Sequence, residues 1–520
     1  MHKPLTAATA VAALAVPALM TALPSSTAAP AEPTQPGRLL GSYASGHFDE
    51  GGAEIVAYDP KRHRAFSINA AAGTVDVLSI KDPSNPRKIG ELATPGANSV
   101  AVRGNVLAVA EQAANKTDRG TVSFFHPGSL RQTGSVKVGS LPDMVVINPK
   151  GTLALTANEG EPEGYCEGQV DPKGSVSIID LSKGPAKARV RTVGFTQFDG
   201  REDALRQRGI RIFGPNASAS QDFEPEYITV KGNSAWVTLQ ENNALARINL
   251  AKAKVSWVRP LGLKDHSQPG QGLDPNDKDK TASIVNRPVR GMYMPDGIAS
   301  WTVKKATYLI TANEGDAREW DCFVEESRVK DLTLDPSVFP ADTVKDAELG
   351  RLNVTTTSPQ GPNGYTELWA FGARSVSVRD AAGKLVWDSG DLLERVTADL
   401  ASYNANHAET DSRDSRSDNK GPEPEGVTVG HIGKRAYAFV GLERTSAIAI
   451  LDVTKPTAPT YVGLLQHRDD SFPATEPAAG DLGPEGVRFV PAGVSPNGQP
   501  LLLVGNEVSG TTSVWELDLP

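Results

Sequence analysis

The sequence is short of cysteine, basic charge, long apolar runs and histidine in any ligand-like spacing, and each shortage removes a class of protein. With 2 cysteines in 520 residues, no dense disulfide framework holds the fold, and a chain of this length needs none. Lys+Arg 53 against Asp+Glu 62 gives a formal charge of −9, which argues against a nucleic-acid partner, since phosphate binders carry a basic stripe. The histidines (His2, His47, His63, His126, His266, His407, His431, His467) are scattered, and no G-x-S-x-G elbow, P-loop or H-E-x-x-H occurs. Zinc hydrolysis, a serine triad and P-loop chemistry are therefore not expected. After the N-terminal segment, no stretch is apolar enough to span a bilayer.

That first segment reads as an address. His2 and Lys3 precede an Ala-, Val- and Leu-rich run from Leu5 to Leu23, broken by Pro17, and small residues lead to Ala29-Pro30-Ala31. A signal peptide over 1–31 is expected, cut near Ala31 or just after Ala28. A Pro-, Glu- and Thr-containing linker over 32–37 follows. No sorting tail is recognised after the last strands, so the mature chain is expected to be soluble, secreted and extracellular, with no membrane span.

What the sequence has in quantity is turn residues, 49 glycines and 38 prolines, dispersed along the chain. This suits many short strands better than helices. Seven copies of one pattern organise them. Each copy has an acidic or amide residue opening an apolar strand: Gly52-Ala53-Glu54-Ile55-Val56, Ala97-Asn98-Ser99-Val100-Ala101, Pro142-Asp143-Met144-Val145-Val146, Pro225-Glu226-Tyr227-Ile228-Thr229, Pro295-Asp296-Gly297-Ile298-Ala299, Pro424-Glu425-Gly426-Val427-Thr428 and Pro484-Glu485-Gly486-Val487-Arg488. A second strand then ends in another polar residue or pair: Asn69, Glu111, Asn158-Glu159, Gln240-Glu241, Asn313-Glu314, Glu443-Arg444 and Asn506-Glu507. A third alternates with the period of two expected of half-buried β structure, as in Ser175-Val176-Ser177-Ile178-Ile179. A unit of about 40–50 residues with four strands is the size of a propeller blade.

The fold class expected is therefore all-β, a single seven-bladed β-propeller over 38–520. The last unit supplies only three strands, so residues 38–43 are expected to pair with it as the missing outer strand and remove an exposed edge. The long departures from the repeat, at about 182–222, 262–290, 315–364, 391–422 and 466–483, fall before first strands or between second and third strands. In a propeller those loops share one face, the top, which is where function is expected.

The same geometry gathers Glu54, Asp143, Glu226, Asp296, Glu425 and Glu485 into a ring at the channel mouth, with Glu111, Glu159, Glu241, Glu314, Glu443 and Glu507 close by. Like charges so crowded raise one another's pKa and need an answer. Three answers stand. The carboxylates are structural, held by backbone N–H groups and by Arg290, Arg318, Arg374, Arg416 and Arg444. Or they bind Ca²⁺, which takes several oxygen ligands. Or a carboxylate pair performs acid–base chemistry.

Two segments bear on the metal. Asp274-Pro275-Asn276-Asp277-Lys278-Asp279 is similar to a D-x-N-x-x-D calcium loop, without the turning Gly or downstream Glu of an EF-hand. Asp411 to Asp418 alternates in charge and leads into Glu423 and Glu425, a pattern that an ion-paired surface loop fits equally well. Cys166 and Cys322 follow Glu159 and Glu314 at similar offsets, on equivalent loops of the third and fifth units. They form a disulfide if their Cα atoms come within about 7 Å.

Several motifs are long enough to compare with a known family: Ala157-Asn158-Glu159-Gly160-Glu161-Pro162, Leu239-Gln240-Glu241-Asn242-Asn243-Ala244, Thr311-Ala312-Asn313-Glu314-Gly315-Asp316-Ala317-Arg318, Lys420-Gly421-Pro422-Glu423-Pro424-Glu425-Gly426-Val427 and Asn506-Glu507-Val508-Ser509-Gly510. Together with the Glu54 segment they resemble the choice-of-anchor I family, over about 40–517. That family includes bacterial extracellular proteins and animal mesenchyme-specific cell surface glycoproteins. The resemblance implies a secreted propeller. Some relatives carry alkaline-phosphatase or phytase-like labels, with no catalytic residue set to transfer.

The functional expectation is an extracellular ligand or surface partner bound by the acidic top face with Ca²⁺. Candidate metal ligands are Glu54, Asp143, Glu226, Asp296, Glu425, Glu485, Glu159, Glu314, Asp274 and Asp279. One alternative is a Ca²⁺-dependent phosphoesterase, with Arg290, Arg318 and Arg444 on the phosphate. Another is a lactonase-like hydrolase with one central Ca²⁺.

Overall fold

The computed structural model describes residues 35–520. The expected signal peptide and residues 32–34 of the linker lie outside the described residues.

Among the described residues, seven four-stranded antiparallel sheets follow one another along the chain. In the first, Val56–Asp59, Arg64–Asn69, Thr74–Ser79 and Arg87–Ala93 pair in sequence order, each turning tightly into the next as a β-meander does. The innermost strands of the seven blades are Val56–Asp59, Ala97–Arg103, Pro142–Ile147, Pro225–Lys231, Ile298–Val303, Pro424–Ile432 and Pro484–Val490. Each lies beside the next, and the seventh returns to the first, so the sheets close into a seven-bladed propeller around a channel. Apolar clusters fill the space between successive blades, for example Phe66, Ile68, Val75 and Val77 of the first blade against Val100, Leu107 and Val109 of the second.

Closure is by the N-terminal strand. Gly37–Ala44 pairs antiparallel with Thr511–Leu517, with Gly37 opposite Leu517 and Ala44 opposite Thr511. This is the outer edge the sequence left open, extended by one residue at each end. Gly37 belongs to this strand, and just before it the Pro36 carbonyl accepts from the amide of Asp518.

Not all of 182–222 is an insertion. Arg189–Gly194 is the fourth strand of the third blade, pairing residue for residue with Ser175–Asp180, and the departure begins at 195. A strand with arginines at alternate positions on an exposed edge carries little apolar signal, which is why periodicity did not mark it. The insertions at 262–290 and 315–374 join in one additional sheet. It is built from Leu263–Asp265, Arg290–Met292, Trp369–Ala370, Asn353–Thr355 and Glu326–Arg328, with its own core of Leu273, Val289, Leu349, Leu352 and Leu368. The insertions also grip one another. Arg211 of the fourth blade's entry loop forms a buried ion pair with Glu325 of the fifth blade's insertion. Cys166 and Cys322 are joined, with Cα atoms 5.2 Å apart. Tyr165 donates its amide to the Asp321 carbonyl beside that bridge, and the Tyr165 and Phe323 rings meet edge-on at 5.6 Å.

Candidate metal and ligand site

The acids enter the channel through a recurring irregularity. Pairing between first and second strands slips between Pro142 and Met144, Pro225 and Ile228, Pro424 and Val427, and Pro484 and Val487. The skipped residues include Asp143, Glu226, Glu425 and Glu485. A bulge leaves its extra residue unpaired and re-aims its side chain. The glycine that follows the acid in three blades has a separate cause. A Cβ on Gly297 would stand 2.3 Å from the carbonyl oxygen of Glu425, one on Gly426 1.9 Å from that of Glu485, and one on Gly486 2.6 Å from that of Glu54. Each blade's acid thus presses its backbone against the glycine of the blade before.

The polar residues that close the second strands divide into two jobs. Asn158, Asn313 and Asn506 are buried and work within their own blades. Asn158 donates to Ser175 Oγ and Ser177 Oγ (3.2 and 3.0 Å), Asn313 to Ser375 Oγ and Ser377 Oγ (3.0 and 2.8 Å), and Asn506 to Thr511 Oγ1 and Ser513 Oγ (3.2 and 3.0 Å). The glutamates that follow them, Glu159, Glu314 and Glu507, face the channel acids.

Two adjoining cavities result, with Asp316 on the wall of both. One, of about 300 Å³, is lined by Asp143, Glu226, Asp296, Glu314, Glu425 and Glu485, with Asn98 and Gln240. The other, of about 590 Å³, is lined by Glu161, Glu224, Glu241, Trp320 and the cations Arg318, Arg416, Lys420 and Arg444.

The carboxyls of the first cavity, and Glu54 and Glu159 beside it, are poor acids. Burial, then Glu507 and Asp143, pushes Glu54 up to about 8. Burial, then Glu161, pushes Asp143 up to about 7. Glu226, Asp296, Glu425 and Glu485 are held well above the ordinary range first by burial and then by neighbouring carboxylates, Glu159 on Glu226, Glu314 on Asp296, Glu443 on Glu425 and Glu54 on Glu485, and Glu159 by burial with Glu161 and Asp143. Burial pushes Glu314 up to about 7, with Lys420 pulling the other way.

Charge compensation comes from fewer residues than the sequence suggested. Lys420 Nζ lies 3.0 Å from Glu314 Oε1 and 3.4 Å from Glu423 Oε2. Arg444 Nε lies 2.9 Å from Glu423 Oε2, and Arg416 3.3 Å from Glu423 Oε1. These three cations hold Glu423 below the usual range against the pull of burial. His407 bridges Glu443 at 3.0 Å and Arg444 at 2.9 Å. Lys420, Glu423 and His407 were not singled out from the sequence. Lys420 and Glu423 stood in a recognisable motif, but His407 sits in a long loop with no periodicity.

The remaining expectations are redistributed. Arg318 is buried and pairs with Asp222 at 2.6 Å and Glu224 at 3.0 Å, so it lines the second cavity with its charge already matched. Arg290 does not join it, but pairs with Asp265 in the additional sheet. Arg374 pairs with Glu394 at 2.8 Å, away from both cavities. Glu111 is turned toward Ser123 and Lys137 of its own blade and lines neither cavity. Asp274 and Asp279 lie in the 262–290 insertion, separate from the channel acids; Asp274 accepts from the amides of Asn276 and Ser283, and Asp279 from that of Thr281.

Among the described residues, carboxylate oxygens of Asp296, Glu314 and Glu425 lie within 4.8 Å of one another, as do those of Glu314, Glu423 and Glu443. Lys420 already sits between Glu314 and Glu423 of the second group, and through Glu314, which the two groups share, it also borders the first. In the first, Glu425 Oε2 is buried with no hydrogen-bond partner; Glu485 Oε2, on the wall of the same cavity but outside the group, is likewise alone. An all-oxygen donor set suits a hard cation such as Ca²⁺.

Fold and site together define a seven-bladed propeller with carboxylates at its channel mouth. The chain belongs to the choice-of-anchor I family, whose domain model matches residues 54–456. It is 33% identical over 191 residues to Gigasin-3a of Magallana gigas, covering 33% of this chain and 66% of that protein. It is 26% identical over 340 residues to the mesenchyme-specific cell surface glycoprotein of Strongylocentrotus purpuratus, covering 55% of this chain and 43% of that one. The chain thus spans less than two thirds of either relative. Similar solved structures include the hydrazine synthase of Kuenenia stuttgartiensis (TM-score 0.48, 14% identity, 91% of this chain and 97% of that one) and the Cps50 (Swd1) β-propeller domain of Myceliophteria thermophila (TM-score 0.46, 9% identity, 92% and 99%).

Proposed function

We propose that this is a secreted propeller, its single domain running from 38 to 520, that binds Ca²⁺ at the channel mouth and a polar extracellular ligand or surface partner in the adjoining cavity. The observation that carries the reading is the cluster of Asp296, Glu314 and Glu425, in which Glu425 Oε2 is buried without a partner. A divalent cation there supplies the charge that burial and mutual repulsion otherwise oppose. Lys420 and Arg444, on the wall of the larger cavity, are placed to meet an anionic group of the ligand. The inter-loop disulfide fits an oxidising compartment, as does the likeness to a cell surface glycoprotein. No helix among the described residues is long and apolar enough to cross a membrane.

The phosphoesterase reading has one observation in its favour: cations and a metal-competent carboxylate cluster share adjoining cavities, as phosphoryl transfer requires. Against it, two of the three arginines expected on the phosphate are taken up elsewhere, Arg318 by Asp222 and Glu224 and Arg290 by Asp265 in the additional sheet. The two readings separate in one assay of the purified protein with p-nitrophenyl phosphate, phytate and a lactone, each with Ca²⁺ or chelator. Binding without turnover is the expected result. Turnover abolished both by chelator and by Asp296→Asn overturns it in favour of hydrolysis.

A further inference from the structure

A second buried acidic group lies outside the channel, where the 262–290 and 391–422 insertions meet the fifth blade. Asp274, Glu394, Asn404 and Asp414 are all fully buried there. Glu394 Oε1 accepts from Arg374 Nη1 at 2.8 Å, from the Asp274 amide at 3.3 Å and from Asn404 Nδ2 at 3.3 Å, while Glu394 Oε2 has no partner. Asn404 Nδ2 also donates to Ser417 Oγ at 2.9 Å, while Asn404 Oδ1 has none. Ser417 Oγ donates to Asp414 Oδ1 at 2.6 Å, while Asp414 Oδ2 has none. Three side chains in one hydrogen-bonded row therefore each keep one buried oxygen unanswered.

Such oxygens are costly, because a buried acceptor without a donor loses its hydration for nothing. Among the described residues, Arg374 is the one cation hydrogen-bonded to these carboxylates, and its other bonds go to the carbonyls of Asp274, Ser417 and Asn419. Arg413 stacks over Tyr403 at 5.2 Å and donates to backbone carbonyls. Asn404 matters most to the choice of ligand. Its amide nitrogen is committed to donation at two acceptors, so its oxygen faces a species that is not an anion, and two carboxylate oxygens with an amide oxygen make a hard donor set.

We infer that Glu394, Asn404 and Asp414 bind a second Ca²⁺, distinct from the channel site. The ion ties the 391–422 insertion to the fifth blade through Arg374, whose partners Ser417 and Asn419 flank Arg416 and Lys420 of the larger cavity. It thus sets the wall that presents the cationic side chains. This inference does not depend on the channel reading.

The test is equilibrium dialysis of chelator-stripped protein against radioactive Ca²⁺, comparing wild type, Asp414→Asn and Glu425→Gln, with far-ultraviolet circular dichroism to confirm folding. Loss of one equivalent in Asp414→Asn, retained in Glu425→Gln, is expected. Loss in Asp414→Asn with no loss in Glu425→Gln keeps this inference and removes the channel site. A folded Asp414→Asn that binds as many equivalents as wild type overturns it. Should Asp414→Asn fail to fold, wild-type crystals soaked in ytterbium decide by anomalous scattering. A peak among Glu394 Oε2, Asn404 Oδ1 and Asp414 Oδ2 is expected, and ordered water alone at that place overturns the inference.

Discussion

The carbonyl oxygen of Glu485 lies 1.9 Å from where a β-carbon on Gly426 would stand. Two residues at equivalent positions of neighbouring blades are thereby pressed together, and the same contact joins Gly297 to Glu425 and Gly486 to Glu54. The acid that lines the channel is also the residue whose backbone wedges the blades apart at a fixed spacing. Gly426→Ala is expected to cost about 1–3 kcal/mol through overpacking, or to prevent folding. Gly493→Ala, where nothing lies within 4 Å, should change stability by less than about 0.5 kcal/mol. Chemical denaturation of the two variants checks the contrast, and equal effects would contradict it.

Asn313 holds the fifth blade's second and third strands through Ser375 and Ser377, whose hydroxyls pass on to Asp388 at 2.9 and 2.7 Å. Asn313→Ala removes a fully satisfied buried amide and strands its partners. A loss of about 1–3 kcal/mol is expected from that desolvation. Ca²⁺ affinity should be nearly unchanged, because the neighbouring Glu314 is the residue facing the metal candidates.

Arg318 is expected to be structural. Arg318→Ala leaves Asp222 and Glu224 buried without their cation, at a cost of about 3–5 kcal/mol. Lys420→Ala leaves Glu423 still paired with Arg416 and Arg444, so it should cost less stability and more ligand affinity. Melting temperatures of the two variants, read beside binding of any ligand found, test that division.

The buried carboxyls of the channel mouth and the adjoining cavity set a pH dependence of defined sign. In the unfolded chain they ionise near the ordinary value of about 4, whereas in the folded protein Glu54, Asp143 and Glu241 hold their protons up to about 8, 7 and 8. Between those limits the folded state binds more protons, so stability falls as pH rises. With chelator present, the melting temperature should drop from about pH 5 to about pH 8, and added Ca²⁺ should recover most of the drop. A melting temperature that climbs over that interval would contradict the account.

Much of this was legible in the sequence because propeller geometry repeats. An acid, or in the second blade Asn98, recurs at the same point of each inner strand, so the repeat alone brings Asp143, Glu226, Asp296, Glu425 and Glu485 to one place. Closure by an N-terminal strand, expected over 38–43, was legible too, since the last unit lacked one strand. The division of labour between Asn313 and Glu314 was not, because both are polar and adjacent, and only strand pairing shows which turns inward to serines. His407 and Glu394 were missed for another reason. They sit in insertions whose path is fixed by contacts with distant segments, which leave no period in the local sequence. Arg290 was expected beside the acids or on a phosphate, and its strand pairing in the additional sheet carries it to Asp265 instead.

The central claim is that the channel mouth holds Ca²⁺ through Asp296, Glu314 and Glu425. Calorimetric titration of Ca²⁺ into chelator-stripped protein, wild type beside Glu425→Gln, tests it most directly. The account predicts saturable binding with a dissociation constant on the order of 10⁻³ M or tighter, as extracellular sites show, and loss of one class of sites in Glu425→Gln. A folded Glu425→Gln protein whose Ca²⁺ isotherm matches that of the wild type would contradict it.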